Sequence, residues 1–109
     1  ARLGREGDAY VLRVTGHAEY GYRGKDGDIV CAACSMLGQA FLAYCRDMYL
    51  RDLAYKLSYS LEDGLEVRCV PWEGGRRELE GAVEMTRAGY RLLAQRYPEN
   101  VRLADENSC

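Results

Sequence analysis

Five cysteines and a single histidine carry most of the nucleophilic and general-base capacity of this 109-residue chain. His17 stands in Gly16-His17-Ala18, and Cys31 in Asp28-Ile29-Val30-Cys31-Ala32-Ala33-Cys34-Ser35. A cysteine attacks as its thiolate, and a neighbouring imidazole or a helix N-terminus favours that form. Asp28 has a side chain preferred at helix N-caps, so the helix is expected to open there, with Cys31 in its first turn. Unpaired amides and the helix dipole favour an anion in that turn. With Val30 at the centre of an apolar stripe, Cys31 lies about 100° round the helix, on its flank. Ser35 follows one turn later on the same flank, whereas Cys34 falls on the stripe and reads as packing. The chemistry expected is attack by Cys31 with His17 as base. Asp28 has two open readings: a cap for the helix, or a third group orienting His17.

Other constellations compete for the same residues. Cys31-Ala32-Ala33-Cys34 has C-x-x-C spacing, the mark of thiol-redox motifs, but a glycine-rich loop precedes it instead of a strand. Cys31, Cys34 and His17 make three of the four ligands of a structural zinc site. Cys45 lies about 21 Å further along the helix, which leaves Cys69 as the remaining candidate. No metal and no cofactor is expected. The loop Gly21-x-x-Gly24-x-x-Gly27 lacks both the Gly-Lys-Ser/Thr ending of a phosphate loop and dinucleotide-fingerprint spacing. Its readings are a flexible cover over the Cys–His pair, with Tyr20 and Tyr22 as apolar contacts for a peptide, or a plain surface loop.

The elements that must position these residues follow from periodicity. Tyr10 to Thr15 alternate as a strand, with a turn over Gly4 to Asp8 and a short strand at Arg2 and Leu3 before it. The long helix carries Val30, Cys34, Leu37, Phe41, Tyr44 and Met48 at steps of four and three, and runs to about Leu53. Tyr55, Leu57, Tyr59 and Leu61 alternate, as do Leu65, Val67 and Cys69, around Glu62-Asp63-Gly64. That predicts a hairpin with Gly64 in the left-handed position. Leu79, Val83, Thr86, Tyr90, Leu93 and Tyr97 mark a second helix that Pro98 stops, and Val101 and Leu103 predict a last strand. Most of the tyrosines fall at positions that read as core. The fold expected is α+β, order (β)βαββαβ: one antiparallel or mixed sheet with two long helices on it, a single domain over 1–109.

Bulk properties narrow the function. A net charge of −2, with acidic and basic residues interleaved, gives no field for direct nucleic-acid binding. No run of about 18 apolar residues and no signal-peptide pattern is read, so no membrane association and a cytoplasmic location are expected. The odd, clustered cysteines suit a reducing compartment. The chain opens Ala1-Arg2-Leu3 without Met, so a start upstream is expected.

At Gly16-His17-Ala18, Gly27-Asp28-Ile29-Val30-Cys31-Ala32-Ala33 and Ser35, the chain resembles the Prp family, bacterial ribosomal-processing cysteine proteases. The likeness extends through the hairpin, the second helix, Tyr97-Pro98 and Val101-Arg102. It implies Cys31 as nucleophile and His17 as base, supported by Asp28, Ser35 and Gly16. Tyr20, Gly21, Tyr22, Gly24 and Gly27 would lie in a substrate loop. It implies as substrate the N-terminal extension of a large-subunit ribosomal protein, cut after an aromatic residue before ribosome assembly, and a homodimeric enzyme. The loop between His17 and Cys31 is a little longer than is usual there, its content Glu19-Tyr20-Gly21-Tyr22-Arg23 is particular to this chain, and Cys34 stands where a small apolar residue is common. The alternatives are a non-catalytic ribosome-assembly interaction domain and a Cys31/Cys34 redox protein.

Overall fold

The computed structural model describes residues 1–15, 25–62 and 64–107, with the backbone alone at 25–28 and 104–107. Strands β1 (Arg2–Glu6) and β2 (Ala9–Val14) form a hairpin, followed by helix α1 (Lys25–Leu50). A second hairpin, β3 (Ala54–Ser60) and β4 (Leu65–Pro71), leads through a single 3-10 turn into α2 (Arg76–Arg96) and then β5 (Ala104–Asn107). The order ββαββαβ is the one expected. The strands lie β3-β4-β2-β1-β5, antiparallel except for β5, which runs parallel to β1. The sheet is therefore mixed.

Alternation along the strands explains why the sheet has one covered face. Leu3, Tyr10, Leu12, Val14, Leu65, Val67 and Cys69 point to one side and bury with Val30, Cys34, Phe41, Cys45 and Met48 of α1 and Leu79, Val83 and Tyr90 of α2. Both helices thus occupy the same face, a two-layer arrangement. Ala9, Val11 and Val70 form a separate small cluster. On that opposite side, Glu6, Arg13, Glu66 and Arg68 close a ring of four ion pairs at 2.8–3.3 Å.

Several local expectations are corrected. β1 runs through Glu6, so Gly4 is a paired strand residue and the turn shrinks to Gly7-Asp8. α1 begins at Lys25, three residues before Asp28, and ends at Leu50. Its end is closed by Asp52 at φ 65°, with the Leu53 N–H donating to Met48 O and the Asp52 N–H to Tyr49 O. That is the Schellman pattern, with an aspartate in the place glycine usually takes. In the core stripe Cys45 is fully buried, while Tyr44 is 37% exposed at the rim. There its hydroxyl donates to Glu78, which also receives Arg51, tying the end of α1 to the start of α2.

Tyr55 and Tyr59 are exposed too, so the tyrosines are largely not core; Tyr10 and Tyr90 are. β3 is an edge strand with a register shift between Ala54 and Lys56, and Leu57 is the residue of its middle that packs on the core. Val101 is buried but precedes the last strand; its N–H donates to Tyr97 O, finishing α2 before β5 starts at Ala104. The segment Ile29–Leu50 is also long and apolar enough, by length and composition, to cross a bilayer, against the expectation that no such run exists. Here its stripe is spent on the sheet.

Gly64 decides how the second hairpin meets β2. It holds φ 96°, as expected, and a Cβ there would stand 2.1 Å from Val14 O. Both the backbone and the space exclude a side chain. Gly64→Ala is expected to cost about 2 kcal/mol or more, read as a lowered denaturation midpoint; an unchanged midpoint would contradict the contact.

The charge ring sets a pH dependence. Arg13, then Arg68, hold the Glu6 carboxyl below its ordinary range, and Arg68 foremost does the same for Glu66. Carboxylates with lowered folded-state values contribute stability that is complete above the unfolded value, near 4.3. That contribution is lost as pH falls through the folded values. The melting temperature should therefore drop on acidification below about pH 4, and Glu6→Gln should flatten that slope. Parallel curves for parent and variant would show that the ring contributes nothing.

Candidate active site

Cys31 lies on the flank of α1 as expected, half-buried and in no disulfide. Its depth along the helix is corrected. With α1 starting at Lys25, Cys31 is the seventh helical residue and Asp28 the fourth, so Asp28 does not cap the helix and Cys31 is not in the first turn. Cys31 stands about 9 Å along the axis from the helix start. The pull of the dipole on a charge fades beyond the first turn. The amide of Cys31 lies inside the regular i to i−4 ladder, so it is not an unpaired oxyanion donor. Activation of this thiol therefore falls mainly to a neighbouring base.

The other described cysteines are buried. Cys34 is 4% exposed, and burial pushes its thiol up. Cys45 of α1 and Cys69 of β4 are fully buried against each other; the contact with Cys69, and then burial, push the Cys45 thiol up. These sulfurs pack as small hydrophobes. Cys34 is thus poorly placed for redox exchange with Cys31. Among the described residues, no group of three His, Cys, Asp or Glu gathers as a metal site.

Two contacts fix the flank. The Tyr90 hydroxyl, from the middle of α2, donates to the Cys34 carbonyl at 2.8 Å inside the core. At Gly38, one turn on, a Cβ would stand 2.7 Å from Leu65 Cδ2, 3.2 Å from the Tyr90 hydroxyl and 3.5 Å from Val14 Cγ2. The bare backbone there lets β4, α2 and the end of β2 converge on the turn that carries Cys34 and Ser35.

Outside the core, the same junction opens into a cavity of about 380 Å³. Val14 of β2, Cys34, Ser35 and Gln39 of α1, and Leu61, Gly64 and Leu65 of the hairpin line it. Ser35 is half-buried at its edge. A cleft of about 480 Å³ beside α2 is lined by Arg5, Tyr10, Glu80, Glu84, Arg87 and Arg91, with no residue of α1 in its wall. Several of its polar groups are engaged within the fold: Tyr10 donates to Glu80, and Arg87 reaches Glu84 and the Leu3 carbonyl.

Gly16, His17, Tyr20, Gly21, Tyr22 and Gly24 lie outside the described residues, as does the side chain of Asp28; Gly27 is described as helical backbone. The structure brings together Cys31 and Ser35 on one flank, beside Val14 near the end of β2. Gln39 and Leu61 were not singled out from the sequence. Leu61 reads as a strand core residue by its alternation, and nothing in the local pattern reveals that it stands 68% exposed.

The family model described as cysteine protease Prp matches residues 3–102. The chain belongs to the Prp cysteine protease family. The crystal structure of SMU.848 from Streptococcus mutans is similar in fold, with 22% sequence identity, a TM-score of 0.64, and coverage of 98% of this chain and 92% of that one. No curated protein matches the chain. A Prp-family protease requires a reachable thiol, and Cys31 is the described cysteine that is not buried. Brief labelling of the folded protein with iodoacetamide should modify Cys31 at least about tenfold faster than Cys34, Cys45 or Cys69, because thiolate character and access govern the rate. Peptide mapping by mass spectrometry reads this, and equal labelling of Cys34 would contradict the assignment.

Proposed function

We propose that this chain is a cysteine endopeptidase that removes the N-terminal extension of a large-subunit ribosomal protein through a Cys31/His17 pair. The observation that carries the reading is a half-buried thiol on the flank of α1, in a chain matched to the Prp family over residues 3–102. Val14 supports it further. It lies in the cavity wall with Ser35, three residues before His17 in the sequence.

In the proposed reaction His17 takes the Cys31 proton and the thiolate attacks the scissile carbonyl carbon. Collapse of the tetrahedral species breaks the C–N bond, and His17 returns the proton to the leaving amine. Water, deprotonated by His17, then cleaves the thioester and frees the thiol. Asp28 and Ser35 support the pair, with Gly16 beside the base. Tyr20, Gly21, Tyr22, Gly24 and Gly27 contact the peptide. The active form is a cytoplasmic homodimer, supporting ribosome assembly, with no metal or cofactor.

A peptide spanning the ribosomal protein's extension, incubated with the protein and read by mass spectrometry, tests the reading. The parent should give two products, Cys31→Ala none, and Cys34→Ala most of the parent rate. His17→Ala should lose about 100-fold or more. Cleavage by Cys31→Ala would refute the mechanism; binding without a cut by the parent would make the chain a non-catalytic assembly domain. Light scattering reads the mass of a dimer against that of a monomer.

A further inference from the structure

We propose that the cavity between α1 and the tip of the β3–β4 hairpin is a substrate subsite that seats an apolar side chain of the peptide, with Leu61 and Gln39 setting its specificity. The proposal rests on the protease reading and adds where the peptide lies and what it presents.

Three observations point there. Ser35, in the lining of the cavity, is one helical turn from Cys31 on the same flank of α1. That turn is about 5 Å, and Gln39 is about 12 Å from Cys31 along the axis. An extended chain advances about 3.3–3.6 Å per residue, so a peptide whose scissile carbonyl sits at Cys31 has its next two to four residues over this cavity.

The lining is also of mixed chemistry. Val14, Leu61 and Leu65 supply apolar surface, and α1 supplies Cys34, Ser35 and Gln39. That combination suits an apolar side chain held by a few placed polar groups, and the volume lies within the range of ligand pockets. The Gln39 amide offers both a donor and an acceptor to a peptide backbone.

Leu61 is the third observation. It is 68% exposed just past the end of β3, in the wall of the cavity rather than in the core. Gly64, against the Val14 carbonyl, holds the hairpin tip in place. A large apolar side chain set at the mouth of a half-apolar pocket has surface to bury on a partner. A peptide side chain on the line from Cys31 is the occupant of matching chemistry.

The test separates this proposal from the protease reading. Fluorescein-labelled extension peptide is titrated into Cys31→Ser protein, alone and combined with Leu61→Asp, Leu61→Lys or Gln39→Ala, with Leu92→Asp on the exposed side of α2 as control. Melting temperatures are recorded for each. Leu61→Asp should weaken binding about tenfold or more, Gln39→Ala should weaken it less, and the control should bind as the parent does. In otherwise native protein Leu61→Asp should raise KM with kcat little changed, the pattern of a lost binding contact.

Replacing in turn each apolar peptide residue within four positions of the cut by Asp should reproduce the loss at one position. Leu61→Lys should restore that peptide, a reversal that general destabilisation does not produce. Cleavage and binding unaffected at Leu61 would overturn the subsite and leave the protease. Peptide binding that depends on Leu61 without any cleavage would keep the subsite and remove the protease. No binding and no cleavage would overturn both.

Discussion

The candidate site depends on the close approach at Gly38. Because that residue of α1 has no side chain, Leu65 of the hairpin, Tyr90 of α2 and Val14 of β2 reach the helix backbone together. Each comes from a different element, so the fourth turn of the helix is located by three parts of the chain at once. The buried bond from Tyr90 to the Cys34 carbonyl adds direction to this packing. A hydroxyl of a residue at 0% exposure must have a partner, and the Cys34 carbonyl, on the turn after Cys31, serves as one.

Around that junction the fold divides its tasks. The helical face of the sheet is apolar and takes both helices, while its other face closes a ring of four ion pairs over a small apolar cluster. Partly exposed pairs of this kind are worth little singly; here each of four side chains serves two partners. The end of α1 is tied to the start of α2 through Arg51 and Glu78, and the middle of α2 to β1 through Arg87 and the Leu3 carbonyl. The flank of α1 carrying Cys31 and Ser35 stays outside this packing, both residues being half-buried.

For the proposed nucleophile Cys31, the structure places the thiol differently from the sequence reading. An N-cap at Asp28 would have put the thiol among unpaired amides. A helix that begins at Lys25 moves it into the regular ladder. A positive end effect there is small, so reactivity has to come from a base and from the contrast with the buried thiols Cys34, Cys45 and Cys69.

The sequence by itself determined the two helices, the second hairpin with its left-handed Gly64, and the element order. Periodicity carries these because burial of one face imposes a period of 3.6 or 2 on the residues that fill it. Boundaries and faces were less legible. Gly4 reads as a turn residue but pairs with Val11 in the sheet; Asp28 reads as a cap but sits inside the helix; Tyr55, Tyr59 and Leu61 alternate like core yet stand exposed on an edge strand. Period does not say which strand lies at the edge or how far a helix reaches across the sheet. Only the tertiary structure decided that Leu61 and Gln39 share a cavity with Ser35, because that proximity joins segments more than 20 residues apart through a contact made at a glycine.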